Sequence, residues 1–142
     1  MSDTTHNHII LYAEDDADDL FMVKEALRRY DTPVSLMHAP DGLEALEKLQ
    51  QAYIISKLPC LIILDINMPG MDGREALMRI RQSESYRKIP VVLFTTSSSD
   101  EDRTFASKWG AHFITKPHIY SQLEQLAGEF LNLCETGVTV TA

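Results

Sequence analysis

Short unbroken apolar runs alternate along the chain with stretches whose apolar residues recur every three or four positions. The run His8-Ile9-Ile10-Leu11-Tyr12-Ala13 stops at Glu14-Asp15-Asp16, and from Ala17 the period changes: Leu20, Val23, Ala26, Leu27 and Tyr30 fall at helical spacing. The first segment reads as a buried strand and the second as a helix from about Ala17 to Tyr30. Val34 to Ala39 is a second strand, and a second helix opens at Asp41-Gly42 with Leu43, Leu46, Leu49 and Tyr53 on one face. Leu61-Ile62-Ile63-Leu64 is wholly aliphatic, the signature of a strand buried on both sides. It ends abruptly at Asp65 and a turn, Met68-Pro69-Gly70-Met71-Asp72-Gly73.

A third helix follows Gly73, with Ala76, Leu77 and Ile80 inward and Arg74, Arg79 and Arg81 outward. Pro90 to Phe94 is a fourth strand, running into Thr95-Thr96-Ser97-Ser98-Ser99. Ser99 is the expected N-cap of a helix that begins Asp100-Glu101-Asp102, and Gly110 its expected C′ residue. Ala111 to Thr115 is a fifth strand ending at Lys116-Pro117. A last helix carries Ile119, Leu123, Leu126, Phe130 and Leu133 on one face. Strict alternation of strand and helix predicts an α/β fold: a parallel sheet with helices on both faces and right-handed crossovers.

In such a sheet the carboxyl ends of the strands share one edge, where ligands and chemistry gather. Four of the predicted strands finish there in polar side chains: Glu14 and Asp15, Asp65, Thr95, and Lys116. Asp65 alone is ambiguous, since a strand-end aspartate can be a nucleophile, a metal ligand or a helix cap. Three carboxylates brought together repel one another unless a cation joins them. Magnesium takes oxygen ligands, keeps several waters and is held by one or two carboxylates plus a phosphate. Lys116 adds a point charge for an oxyanion and Thr95 a hydroxyl donor. These are the parts needed to draw a phosphoryl group onto a carboxylate, where placement and electrostatics supply most of the catalysis.

Composition narrows the field. The 142 residues are 44% hydrophobic and 24% charged, values of one globular domain. That domain is expected to span residues 8–133, with a flexible N-terminus at 1–7 and a C-terminal tail at 134–142, of which Gly137 to Ala142 reads as frayed rather than as a short strand. A net charge of −8 argues against a nucleic-acid face and against an anionic membrane surface. No apolar run approaches the about 20 residues of a membrane span, and the N-terminus lacks the form of a signal peptide, so a cytoplasmic location is expected. Cys60 and Cys134 have no metal-site spacing and are expected to be buried free thiols in a reducing compartment. His6 and His8, on the terminus, are given no metal role. Asp18 and Asp19 are read as an acidic first turn favoured by the helix dipole.

Glu14-Asp15, Asp65 with Ile66-Asn67-Met68-Pro69-Gly70-Met71-Asp72-Gly73, Thr95-Thr96 and Lys116-Pro117 together resemble a bacterial two-component response-regulator receiver domain, over roughly residues 8–133. The segment Pro90 to Asp102 further resembles stand-alone receivers, including those paired with bacterial phytochromes. The resemblance implies a flavodoxin-like fold with strand order 2-1-3-4-5. It implies that Asp65 is the phosphoacceptor and that magnesium is held by Asp15 and Asp65 directly, by Glu14 through water and by the Asn67 backbone carbonyl. Thr95 and Lys116 would contact the phosphoryl oxygens, and Thr95 with Phe113 would form the switch. The implied partners are a sensor histidine kinase, of phytochrome type or another, or a phosphotransfer protein. Output would come from partner binding or from a homodimer through the fourth helix, fifth strand and fifth helix, with Phe130, Leu131 and Leu133 leaving surface for it.

The sequence departs from the commonest pattern at three places: Glu14 stands for the usual first Asp, Thr96 is bulkier than the usual Ala or Gly, and Gly110 to Lys116 is one residue short. Rival functions are weaker. An aspartate-nucleophile phosphatase needs an acid two residues after the nucleophile, where this chain has Asn67. A flavin-phosphate loop after the first strand would be repelled by Glu14-Asp15-Asp16. A phosphorylation-independent interaction module and a phosphoryl shuttle or sink in a relay are the remaining alternatives.

Overall fold

The computed structural model describes residues 8–136. In chain order the elements are β1 (His8–Ala13), α1 (Ala17–Arg28), β2 (Val34–Ala39), α2 (Gly42–Ile54), β3 (Leu61–Leu64), α3 (Gly73–Gln82), β4 (Val91–Thr95), α4 (Asp100–Lys108), β5 (His112–Thr115) and α5 (Tyr120–Thr136). The strands form one sheet in the order β2-β1-β3-β4-β5, and every pairing is parallel. The predicted alternation and strand order are therefore those observed.

Side chains alternate across a strand, so a sheet covered on both faces needs apolar residues at every position. Leu11, Ala13, Ile62, Leu64, Val91 and Leu93 face one layer, where Ala45 and Leu49 of α2, Ala76, Leu77 and Ile80 of α3 and Ala106 of α4 meet them. Ile10, Tyr12, Leu61, Ile63, Val92 and Phe94 face the other, against Val23, Ala26 and Leu27 of α1 and Leu123, Ala127 and Phe130 of α5. There the rings of Phe94 and Phe130 pack edge to face at 5.5 Å, an arrangement favoured by the aromatic quadrupole.

Several helix faces differ from their expected orientation. α2 seats through Ala45, Leu49 and Ala52, whereas Leu43 and Tyr53 are 54% and 53% exposed. Its start lies tight against the turn before α3: the Gly42 amide donates to the Met71 carbonyl at 3.0 Å, and a Cβ on Gly42 would overlap that carbonyl. α5 runs on to Thr136, past the boundary expected after Leu133. Phe130, Leu131 and Leu133 are all buried in the core and leave no surface for a dimer. Ile119 precedes the helix and is exposed.

Arg81, expected outward, turns in. Its guanidinium donates to the carbonyls of Trp109, Arg87, Ile89 and Gly110 at 2.9 to 3.1 Å. Cys60 and Cys134 are not free thiols but a disulfide pair, which joins the residue before β3 to the last turns of α5. The expectations for the flexible terminus at 1–7, for His6 and for the tail from Gly137 lie outside the described residues.

Candidate functional site

β1, β3, β4 and β5 deliver their C-terminal residues to one edge of the sheet. The Glu14 amide continues the β1–β2 ladder onto the Ala39 carbonyl at 2.9 Å, and the Asp65 amide continues β3 onto the Ala13 carbonyl at 3.0 Å. The Lys116 amide donates to the Thr95 carbonyl at 2.7 Å. Backbone pairing, not loop geometry, thus places all four residues.

Asp65 owes its seat to the turn that follows it. Asp72 caps α3 by accepting from the Glu75 amide, and the Gly73 amide donates to the Ile66 carbonyl at 3.0 Å. A Cβ on Gly73 would overlap the backbone carbonyl of Asp65. The Asp-Gly end of the motif therefore lets the helix start abut the strand end. The Asn67 amide, two residues on, donates to Asp65 Oδ1 at 3.3 Å.

Lys116 occupies the centre of the site. Its Nζ donates to Glu14 Oε1 at 2.7 Å, Asp19 Oδ2 at 2.7 Å and Asp65 Oδ2 at 2.9 Å. Glu14 and Asp65 are 1% and 6% exposed, and Thr95 is fully buried. Burial alone would lower the ammonium pKa, but the hydrogen bonds that Lys116 donates to Asp19, Glu14 and Asp65 outweigh it and hold Lys116 firmly protonated. Glu14 also accepts from the Tyr12 hydroxyl at 2.9 Å and from the Asp16 amide at 3.1 Å. Desolvation pushes its carboxyl up to about 7, helped by the charge of Asp65 and opposed by the Lys116 hydrogen bond. Tyr12, buried beneath it, is pushed well above the ordinary phenol value by desolvation and by the Glu14 charge.

Carboxylate oxygens of Glu14, Asp15 and Asp65 all lie within 4.8 Å of one another. This set of hard oxygen donors fits a divalent cation. Lys116 offsets only part of the negative charge, since its one ammonium meets three carboxylates and the solvent-exposed Asp15 adds a fourth to the cluster.

Thr95 ends β4 with its Oγ1 accepting from the Ser97 amide at 3.2 Å. The loop beyond is tied down by Asp102, which accepts from the Ser97 hydroxyl at 2.8 Å and from Arg74 at 3.0 Å. Phe113 lies on β5, packed against the core from a half-buried position, with the Arg103 guanidinium 4.7 Å above its ring.

The strand-end residues grouped from the sequence do meet at one edge, and two further residues that the sequence did not single out join them. Asp19, read as a helix-dipole residue, reaches Lys116. The Asp16 carboxylate caps α1 by accepting from the Asp18 and Asp19 amides, and this turn aims Asp19 back across the sheet edge. Its position four residues after Asp15 was the available signal. Tyr12 stands two residues before Glu14, on the same face of the strand, and its hydroxyl was the polar group among apolar neighbours.

The chain matches the family model described as response regulator receiver domain over residues 10–127. It is 41% identical over 105 residues to the response regulator Rcp1 of Synechocystis sp., covering 72% of this chain and 71% of that protein. The structure superposes on phosphorylated RcpA, a cyanobacterial phytochrome response regulator, with a TM-score of 0.84 and 31% identity, over 96% of this chain and all of the other. The Mn(2+)-bound form of Rcp1 gives a TM-score of 0.80 at 33% identity, over 95% of this chain and 99% of that one. No helix among the described residues is long and apolar enough to cross a membrane. The chain belongs to the response regulator receiver domain family and is homologous to the phosphoaccepting regulators of two-component systems.

Proposed function

We propose that Asp65 accepts a phosphoryl group from the phosphohistidine of a sensor kinase, and that the phosphorylated domain signals by binding a partner or a second copy of itself. The observation that carries this reading is the Lys116 ammonium, which contacts Asp65 Oδ2 at 2.9 Å beside a cluster of carboxylates suited to a cation. Asp65 Oδ attacks phosphorus, the P–N bond of the phosphohistidine breaks, and the departing imidazole takes its proton from solvent. Asp15 and Asp65 would hold magnesium directly, with Glu14 through water and Asn67 through its carbonyl. The ion, when bound, supplies positive charge to the transferring oxygens. Lys116 would meet the remaining oxygens, so charge that develops in transfer finds its ammonium already beside the acceptor, and the Thr95 hydroxyl would join it once the phosphoryl group is bound.

Phosphorylation would draw Thr95 toward Asp65 and let Phe113 turn inward, changing the face made by α4, β5 and α5. That face is the proposed surface for a partner or for a homodimer. Asn67 offers no acid to hasten hydrolysis, which favours a switch that keeps its phosphoryl group over a phosphatase. Likeness to RcpA, a phytochrome response regulator, supports a phytochrome-type histidine kinase as donor, and the proposed place of this exchange is the cytoplasm. Incubation with magnesium and acetyl phosphate is expected to add one phosphoryl mass, labile to hydroxylamine and absent in Asp65→Asn. An unchanged mass in the unsubstituted protein would leave the phosphorylation-independent interaction module as the better reading.

A further inference from the structure

The edge of the sheet opposite Asp65 carries a second cluster of reactive side chains. Cys60, which precedes β3, is paired with Cys134 near the end of α5, across 74 positions of sequence. Their Cα atoms are 4.7 Å apart, inside the range a disulfide spans without moving the backbone. His8, the first residue of β1, completes the group: one ring nitrogen and the two sulfurs all lie within 4.8 Å of one another. Glu135 Oε2 stands 4.0 Å from His8 Nε2 and gives the imidazole an acidic neighbour.

The domain has an extensive apolar core apart from this pair. Both faces of its sheet carry continuous apolar layers, whereas structural disulfides belong chiefly to small domains without a sufficient core. The surroundings also suit the reduced form. Cys60 Sγ lies 3.2 Å from the Ile9 carbonyl, a contact that becomes a hydrogen bond only when the sulfur carries a proton. The thiolate is the species that exchanges, and an adjacent imidazole is the group that produces and steadies it.

We propose that Cys60 and Cys134 form a reversible thiol–disulfide site, with His8 as the proton acceptor and a low-molecular-weight disulfide of the glutathione class as oxidant. One cysteine passes its proton to His8, and the resulting thiolate attacks a sulfur of oxidised glutathione. The glutathione S–S bond breaks and one glutathione leaves as thiolate. The second cysteine attacks the mixed disulfide, forms the Cys60–Cys134 bond and expels the other glutathione. Two electrons pass to the oxidant, and the two thiol protons end on the two glutathiones. Closure ties the last turns of α5 to the root of β3, the strand whose far end carries Asp65, and opening releases them.

The full chain, equilibrated in glutathione buffers of stepped oxidised-to-reduced ratio, alkylated and weighed intact, tests the site. The expected result is one transition from a doubly alkylated to an unalkylated monomer. Cys60→Ser and Cys134→Ser are each expected to lose it and to gain one glutathione on the remaining sulfur in oxidising buffer. His8→Gln is expected to slow exchange several-fold near neutral pH and to remove the pH dependence that an imidazole imposes on the rate. Thiols that stay open in the most oxidising buffer would overturn the proposal. So would a bond that stays closed in the most reducing one, or a stoichiometric zinc ion that blocks alkylation. Acetyl phosphate labelling of Asp65 is read separately, so failure at either site leaves the other interpretable.

Discussion

Lys116 holds Asp19 of the first helix at 2.7 Å, as closely as it holds Glu14. The ammonium that faces the acceptor carboxylate is therefore shared with a residue outside the metal cluster. Asp19 is 41% exposed on its side chain, so solvent screens the pair and its net worth is about 1 kcal/mol or less. Asp19→Asn removes a competitor for Lys116. It is expected to leave the fold intact and to raise the rate of phosphorylation by acetyl phosphate, by up to about fivefold for about 1 kcal/mol. A rate that falls instead would make Asp19 a residue that positions the ammonium.

Glu14 links stability to pH. Its folded carboxyl titrates near 7, above the ordinary value of 4.5, so the folded state binds its proton more tightly than the unfolded chain. The contribution is fully present below the unfolded value and is lost as pH rises through the folded one. Without metal, the protein is expected to lose up to about 3 kcal/mol from this group between acid and mildly alkaline pH. Melting curves in chelator, set against Glu14→Gln, isolate the effect, because the variant lacks this titration. Magnesium should stabilise the protein more at alkaline pH, where Glu14 is ionised. Equal magnesium stabilisation on both sides of neutrality would count against Glu14 as part of the cation site.

Gly73 permits the helix start to abut Asp65. Gly73→Ala is expected to destabilise by about 1–3 kcal/mol, the usual cost of overpacking, and to slow phosphorylation as the Asp65 backbone shifts. Denaturant unfolding together with acetyl phosphate labelling checks both. Wild-type behaviour in both would mean the α3 start can move without disturbing the acceptor.

Arg81 offers a control away from the chemistry. Its four carbonyl partners gather the α3 end, the turn before β4 and the turn before β5. Arg81→Ala leaves those carbonyls without their donor and is expected to cost about 3 kcal/mol, while phosphorylation of the folded fraction persists. Arg81→Lys should recover little, since a point charge cannot reproduce the planar fork. Full recovery of stability in the lysine variant would show that charge alone suffices.

The strand ends were legible from sequence because period and position coincide there: an apolar run stops where a polar residue begins, and parallel pairing brings Glu14, Asp65, Thr95 and Lys116 to one edge. What escaped notice depended on three-dimensional approach. Leu43 and Tyr53 look like core residues of α2 by spacing, but the helix is rotated so that Ala45, Leu49 and Ala52 face the core instead. Arg81 reads as surface because charge usually is, yet four carbonyls freed at element ends gave it partners. Asp19 fits the dipole rule equally well whether or not Lys116 lies beneath it. Cys60 and Cys134 lie far apart in sequence, and only the packing of α5 against the root of β3 joins them.

The most direct test of the central claim is to find the phosphorylated atom. The magnesium-loaded protein, treated with acetyl phosphate and then borohydride, converts an aspartyl-phosphate to homoserine, and peptide sequencing by mass spectrometry locates it. The expected product is homoserine at position 65, absent without magnesium and absent in Lys116→Ala. Homoserine at Asp15, Asp19 or another carboxylate, or none at all in the unsubstituted protein, would contradict the assignment of Asp65 as acceptor.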